Sequence, residues 1–183
     1  MNKDFFTRNG KICPFGIDIA HTWDELGAIL AIIYYFKIEA FVEFGVHKGG
    51  LSSFLAFHTY LNEDFKYLGI EKKLEDIDPR FLKMASFIHN VTFFHGSVFS
   101  RKCTELIRKF INISGKSLIY CDNGDKPMEF LVYSDIIKVG DLLMVHDYPR
   151  EFNEDNSDFS LLDQIELEYL SETRIVLFER KND

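Results

Sequence analysis

The hydrophobic and polar positions of the chain alternate between two patterns. Short apolar runs occur at 40–44 (AFVEF), 66–71 (KYLGIE), 91–95 (VTFFH), 117–121 (SLIYC), 141–146 (DLLMVH) and 174–179 (RIVLFE). Between them lie longer stretches with helical spacing, clearest at Cys103, Leu106, Ile107, Phe110 and Ile111. The short runs are apolar throughout rather than at every second position, as in strands buried on both faces. Strand and helix in regular succession predict an α/β fold with a doubly wound, mostly parallel sheet between two helical layers.

The helix ends carry their own signals. Thr22-Trp23-Asp24-Glu25 is a capping box and opens a helix to about residue 37, apolar nearly all round. Further helices are expected at 51–61, from the Asp78-Pro79 start to about 90, from Ser100, from Pro127 to Gly140, and after the acidic loop 148–158 to about 170. Residues 1–21 read as irregular, with Asn9-Gly10 and Cys13-Pro14 as turn signals. No linker or repeat interrupts the pattern, so 1–183 is expected to form one domain.

Composition narrows the partners. With 46% hydrophobic residues the chain can build a sizeable core, and a net charge of −8 disfavours nucleic acid. Cys13, Cys103 and Cys121 match no zinc spacing, and Cys103 and Cys121 sit among apolar positions as core residues. The N-terminus lacks a signal-peptide apolar region, and the longest uncharged apolar run is too short for a bilayer. The expectation is a soluble cytoplasmic protein with no membrane or nucleic-acid partner.

Chemistry concentrates after the first strand, in FVEFGVHKGGLSSFL. Strand, glycine turn and helix start in succession form the opening unit of a nucleotide-binding sheet. His47 stands where a dinucleotide fingerprint needs its second glycine, and Glu43 would repel phosphate. Both features argue against an NAD-type oxidoreductase. They suit a ligand with a cationic end and no phosphate, such as S-adenosylmethionine. The stretch resembles motif I of the class I S-adenosylmethionine-dependent methyltransferases. Ligands of such sheets bind beyond the carboxyl ends of the strands. Those ends carry Glu43, Gly45 and His47, then Glu71, then Gly96-Ser97, then Asp122-Asn123-Gly124, then His146-Asp147. Glu71 is placed to accept hydrogen bonds from ribose hydroxyls, while Ser97 meets an adenine edge or caps its own turn.

Over most of the chain, the order EFGVHKGG, YLGIE, HGSVFS, CDNGDKPMEF and GDLLMVHDY is similar to a family of small-molecule O-methyltransferases. That family includes the cephalosporin-hydroxylase-like and macrocin-type enzymes, with catechol O-methyltransferase more distant. The resemblance implies a Rossmann-like methyltransferase sheet. It implies cofactor binding by Glu43, Gly45, Gly49 and Glu71; His47, Ser97 and Asp122 at the same rim are further cofactor-binding candidates. It also implies a divalent cation, usually magnesium, held by Asp122 and Asp147 at strand ends about 4.8 Å apart. His146 stands where relatives carry a second acid, which leaves room for a softer ion or none. Lys126 follows Asp122 by one residue more than the catechol-type lysine, and is either a catalytic base or a solvated first-turn lysine. The bases to consider are Lys126, His146 and Asp125. The usual seventh, antiparallel strand is not evident, so the sheet edge is expected to be incomplete or completed by a second copy of the chain. His21 either lines the acceptor pocket or packs locally; His58, His89 and His95 are structural. Residues 1–21 and 148–160 shape the acceptor pocket. The expected activity is O-methylation of a small-molecule hydroxyl, a sugar or phenol. The rival is a non-catalytic binder of S-adenosylmethionine, or of a partner, with the same fold.

Overall fold

The computed structural model describes residues 7–8, 11–153, 155 and 157–181. Five helices are placed where caps and periodicity put them: α1 (Trp23–Tyr35), α2 (Gly50–Leu61), α3 (Pro79–Phe87), α4 (Arg101–Asn112) and α5 (Lys126–Ser134). Thr22 and Glu25 close the capping box on α1, Oγ1 accepting from the Glu25 N–H at 3.2 Å and Glu25 Oε2 from the Thr22 N–H at 2.8 Å. Asp78, Ser100 and Asp125 cap α3, α4 and α5 through their side chains. α3 stops short of 90 and α5 short of Gly140.

The strands are β1 (Ala40–Phe44), β2 (Lys66–Glu71), β3 (Val91–His95), β4 (Ser117–Cys121), β5 (Leu142–Val145), β6 (Leu162–Ile165) and β7 (Val176–Arg180). They form a seven-stranded sheet in the spatial order β3-β2-β1-β4-β5-β7-β6. β1 to β5 run parallel, and β7 lies antiparallel between β5 and β6. One face carries Phe41, Tyr67 and Tyr120 against α1, α2 and α3; the other carries Val42, Phe44 and Cys121 against α4 and α5. The expected three-layer arrangement is present.

Two expectations are corrected. Residues 162–165 form a strand, not part of a helix, and with it the sheet has its antiparallel seventh strand. Leu161, Leu162 and Ile165 are spaced like a helix face, but Leu162 and Ile165 belong to a short edge strand whose Asp163 and Gln164 face solvent. An edge strand needs few apolar residues, so the chain gives no long run there. The sheet has its seventh strand without a second copy of the chain. The N-terminal segment is also more ordered than expected: Thr7–Arg8 pairs antiparallel with Lys11–Ile12, and Pro14–Gly16 forms a 3-10 turn. The expected Asn9-Gly10 turn lies outside the described residues. No helix among the described residues is long and apolar enough to cross a membrane.

Candidate functional site

The turn after β1 is built from backbone that few residues tolerate. Gly45 has φ +84°, and a Cβ there would stand 2.6 Å from the carbonyl oxygen of Asp122. Only glycine lets the turn lie this close to the end of β4. Gly49 has φ +86°, and a Cβ would meet the Phe81 ring at 2.7 Å. The space beneath Gly49 is therefore filled by α3. Between them His47 adopts a positive φ of 50° and donates its N–H to Glu71 Oε2 at 2.9 Å. The other Glu71 oxygen accepts the N–H groups of Lys72 and Lys73 at 2.8 and 2.9 Å. Glu71 thus fastens the β1 turn to the end of β2 and remains half-buried at the rim.

Glu43, expected to face the cofactor, points the other way. It is 2% exposed and accepts hydrogen bonds from Ser52 Oγ at 2.8 Å and from the Tyr67 hydroxyl. Its β2 partner is Gly69, where a Cβ would stand 2.6 Å from the Tyr67 hydroxyl. Glycine there lets the phenol reach the carboxyl. Burial raises Glu43 to about 8, against the hydrogen bonds from Tyr67 and Ser52. Glu43 ties α2 to the sheet and supports the turn from behind. Ser97 Oγ accepts the Phe99 N–H at 3.2 Å, the turn-capping role of its two expected ones.

The ends of β4 and β5 gather a second group. His146 sits between two carboxylates: Nδ1 lies 2.9 Å from Asp122 Oδ1 and Nε2 lies 3.1 Å from Glu25 Oε1. His21 Nε2 lies 2.7 Å from the Tyr120 hydroxyl and 3.3 Å from Asp122 Oδ2. Lys126 is 5% exposed, so it is not a solvated first-turn lysine. Its Nζ lies 2.7 Å from Glu151, 3.2 Å from Asp147 and 3.9 Å from Asp122. Arg174 bridges Glu25 at 3.0 Å and Asp147 at 2.7 Å. Asp125, the third basic candidate, is exposed and caps α5.

These contacts set the charges. Burial alone would lower His146, but hydrogen bonds to Asp122 and Glu25 raise it to about 9. Burial likewise opposes the charge on Lys126, and Glu151, Asp122 and Asp147 overcome it and raise it. Burial would raise Asp122 and Glu25; their histidine partners, with Thr22 and Arg174 at Glu25, hold both below the usual carboxylate range. At neutral pH Glu25 and Asp122 are negative, and Lys126 and His146 positive. Glu129 beside it is fully buried, and burial raises it to about 7, against the Asn123 backbone and Lys126.

A pH dependence follows from these directions. Glu43, Glu129 and His146 hold protons more tightly in the folded chain than in the unfolded one. The stability each contributes is complete below its unfolded value, 4.5 for the glutamates and 6.5 for the histidine, and is lost as pH rises through about 8, 7 and 9. Glu25 and Asp122 act in the opposite sense, losing their contribution as pH falls. The melting temperature is expected to peak near about pH 5–6 and to decline toward about pH 9. Glu43→Gln should flatten that alkaline decline. A melting temperature that climbs from neutral to alkaline pH would contradict the assignment.

Sequence reasoning missed Arg174, Glu151, Tyr120 and the second role of Glu25. Glu25 was legible as a cap through one oxygen, and the other oxygen holds His146 and Arg174. Arg174 lies 149 residues from Glu25, beyond any local signal. His21 does line a cleft of about 560 Å³, with Asp18, Ile19, Trp23, His47 and Lys48. The segment bearing His21 rests on the start of α2, where a Cβ on Gly50 would stand 2.2 Å from the Asp18 carbonyl oxygen. Cys13, Cys103 and Cys121 are buried and unbridged, as expected of the last two.

Comparison with known proteins follows the same lines. The family model described as "Rhamnosyl O-methyltransferase/CmcI" matches residues 11–160. No curated protein matches the chain. Among solved structures, an apo form of CmcI superposes with a TM-score of 0.73 at 17% identity, covering 92% of this chain and 75% of that one. CmcI in its Mg-SAM form gives 0.71 at 16%, covering 91% and 75%. An O-methyltransferase from Bacillus cereus in complex with SAH gives 0.63 at 13%, covering 89% and 84%. At such identities the likeness establishes the fold, the Rossmann-like methyltransferase sheet.

Proposed function

The chain belongs to the rhamnosyl O-methyltransferase/CmcI family, and from that premise we propose that it moves the methyl group of S-adenosylmethionine onto a hydroxyl of a small molecule, a sugar or a phenol. The observation that carries the reading is the contact between its two halves. The glycine turn expected to hold the methyl donor packs at Gly45 directly on Asp122, the centre of the charged cluster. Donor and acceptor sites built on these two parts adjoin.

The residues present fit the donor. The turn from Gly45 to Gly49 bends through three positive φ values, with Glu43 turned inward behind it and Glu71 at its rim. Glu71 offers a half-buried carboxylate to the ribose hydroxyls at the end of β2. S-adenosylmethionine, when bound, supplies an electrophilic methyl group on its sulfonium.

The cluster acts on the acceptor. Lys126 and His146 are held charged by their carboxylate partners at neutral pH, so neither serves there as a ready base. Their positive charges stabilise the deprotonated form of a hydroxyl placed against Asp122. A divalent cation would be held by Asp122 with His146 or Asp147 beside it, and would acidify the same hydroxyl. Trp23 and His21 on the facing N-terminal segment border the cleft through which an acceptor enters.

The direct test is transfer of labelled methyl from S-adenosylmethionine to a panel of sugars and phenols. Label in an ether product is the expected result. Tight S-adenosylhomocysteine binding with no transfer to any acceptor would favour the non-catalytic binder. A narrower prediction concerns Glu71→Ala. Loss of a charged hydrogen-bonding partner costs about 1.5–3 kcal/mol, so S-adenosylhomocysteine affinity should fall roughly 10- to 100-fold. Titration calorimetry that found the affinity unchanged would remove Glu71 from the donor site.

A further inference from the structure

The cluster beside the turn contains donor atoms that converge as the ligands of one ion do. One ligand atom each from His21, Asp122 and His146 lies within 4.8 Å of the other two, close enough to share one ion. Both histidines are buried, and each faces a different oxygen of the same carboxylate: Oδ2 for His21 and Oδ1 for His146. We propose that His21, Asp122 and His146 bind a first-row transition-metal dication such as zinc, manganese(II) or iron(II), with His21 of the N-terminal segment as third ligand in place of Asp147. The inference rests on the methyltransferase reading only for the use made of the ion.

Ligand chemistry separates this ion from magnesium. Magnesium takes oxygen ligands in a near-ideal octahedron, whereas imidazole suits zinc and the later first-row ions. Two of the three donors here are imidazole nitrogens. The acid that would restore an oxygen-rich set is already engaged: Asp147 Oδ1 accepts from Arg174 at 2.7 Å, and Oδ2 lies 3.2 Å from Lys126.

The outer contacts are those a ligating histidine needs. His146 presents Nδ1 to Asp122, while its Nε2 faces Glu25 at 3.1 Å. An N–H donated to a carboxylate behind the ring fixes the tautomer and leaves the inner nitrogen free to bind metal. Glu25 is itself held by the Thr22 N–H and by Arg174. The position of His21 is fixed as well, because Asp18 three residues earlier rests on Gly50 with no room for a side chain.

Charge balance points the same way. Glu25, Asp122, Asp147 and Glu151 bring four negative charges, and Lys126 and Arg174 bring two positive ones. The difference, four minus two, leaves two negative charges, which one bound dication would meet.

The experiment uses the full chain, stripped of metal by dialysis and titrated with cobalt(II) as a coloured probe, with zinc and magnesium in parallel. Visible absorption saturating at one cobalt per chain, displaced by zinc and unaffected by magnesium, is the expected result. His21→Ala and His146→Ala should each weaken cobalt binding at least as much as Glu25→Gln, for which loss of an outer partner predicts about 10- to 100-fold. His21→Gln serves as a second variant should His21→Ala fold poorly. Magnesium binding without a cobalt spectrum, cobalt affinity indifferent to His21, or no divalent binding at all would each overturn the proposal. S-adenosylhomocysteine calorimetry on the same samples keeps the two readings apart. Its absence beside an intact, His21-dependent cobalt site would refute the methyl-transfer reading and leave the metal site standing.

Discussion

Asp122→Asn should lower methyl transfer by about 100- to 10,000-fold, the range for losing a group that governs proton and charge placement at the reacting oxygen. Asp122 meets three other members of the cluster. Its oxygens face His146 at 2.9 Å, His21 at 3.3 Å and Lys126 at 3.9 Å. Asparagine keeps the shape but removes the charge that orients all three. Some stability should go too, because buried cations lose a partner; about 3–5 kcal/mol is the scale for breaking a buried pair. The informative comparison is therefore kcat against S-adenosylhomocysteine affinity, both well below the melting temperature. A fall in kcat with affinity nearly kept is expected, since the donor rests mainly on the glycine turn and Glu71. Unchanged turnover would reduce Asp122 to the end of a strand.

Gly49→Val should damage the fold near the site. A non-glycine residue in left-handed backbone costs about 1–2 kcal/mol. The new side chain also strikes the Phe81 ring, whose nearest carbon would be 2.7 Å from its Cβ, and overpacking of this kind costs about 1–3 kcal/mol more. Together that is roughly 2–5 kcal/mol, or a melting temperature lower by about 4–20 °C for a chain of this size. Phe81→Ala placed in the same chain should recover part of the packing loss but none of the backbone loss. Thermal denaturation of the four members of that cycle measures both. A fully additive result would show that the ring was never the obstacle.

The legible parts of this molecule were those written in local sequence. Thr22 and Glu25 announced α1, Asp78-Pro79 announced α3, and the apolar runs marked every strand except β6. That strand escaped because Leu161, Leu162 and Ile165 mimic a helix face while Asp163 and Gln164 face water. The rim of the site was legible because ligands of such sheets gather where strands end. What those residues touch was not legible. Glu43 looked like a ligand-facing acid, and only the pairing of β1 with β2 shows Tyr67 waiting for it over Gly69. Lys126 read equally well as solvated or catalytic, and its burial depends on Asp147 and Glu151, which reach it from another element. Tertiary neighbours decide such matters, and spacing along one strand or helix does not reveal them.

The pairing of Glu25 with Arg174 sets the order of events in time as well as in space. Their contact closes 149 residues of chain. Loop closure of that length carries an entropy cost that local helices and neighbouring strands do not meet. The expectation is that the parallel strands and their helices assemble first and that the charged cluster is completed when the last strand brings Arg174 to the first helix. On warming, the sequence runs backwards. The start of α1 and the approach to β7 are the places where the cluster opens by local unfolding, ahead of the central sheet. Catalytic competence should fade at temperatures where β1, β2 and β4 still protect their amides from exchange, so that inactivation and denaturation are two separate transitions.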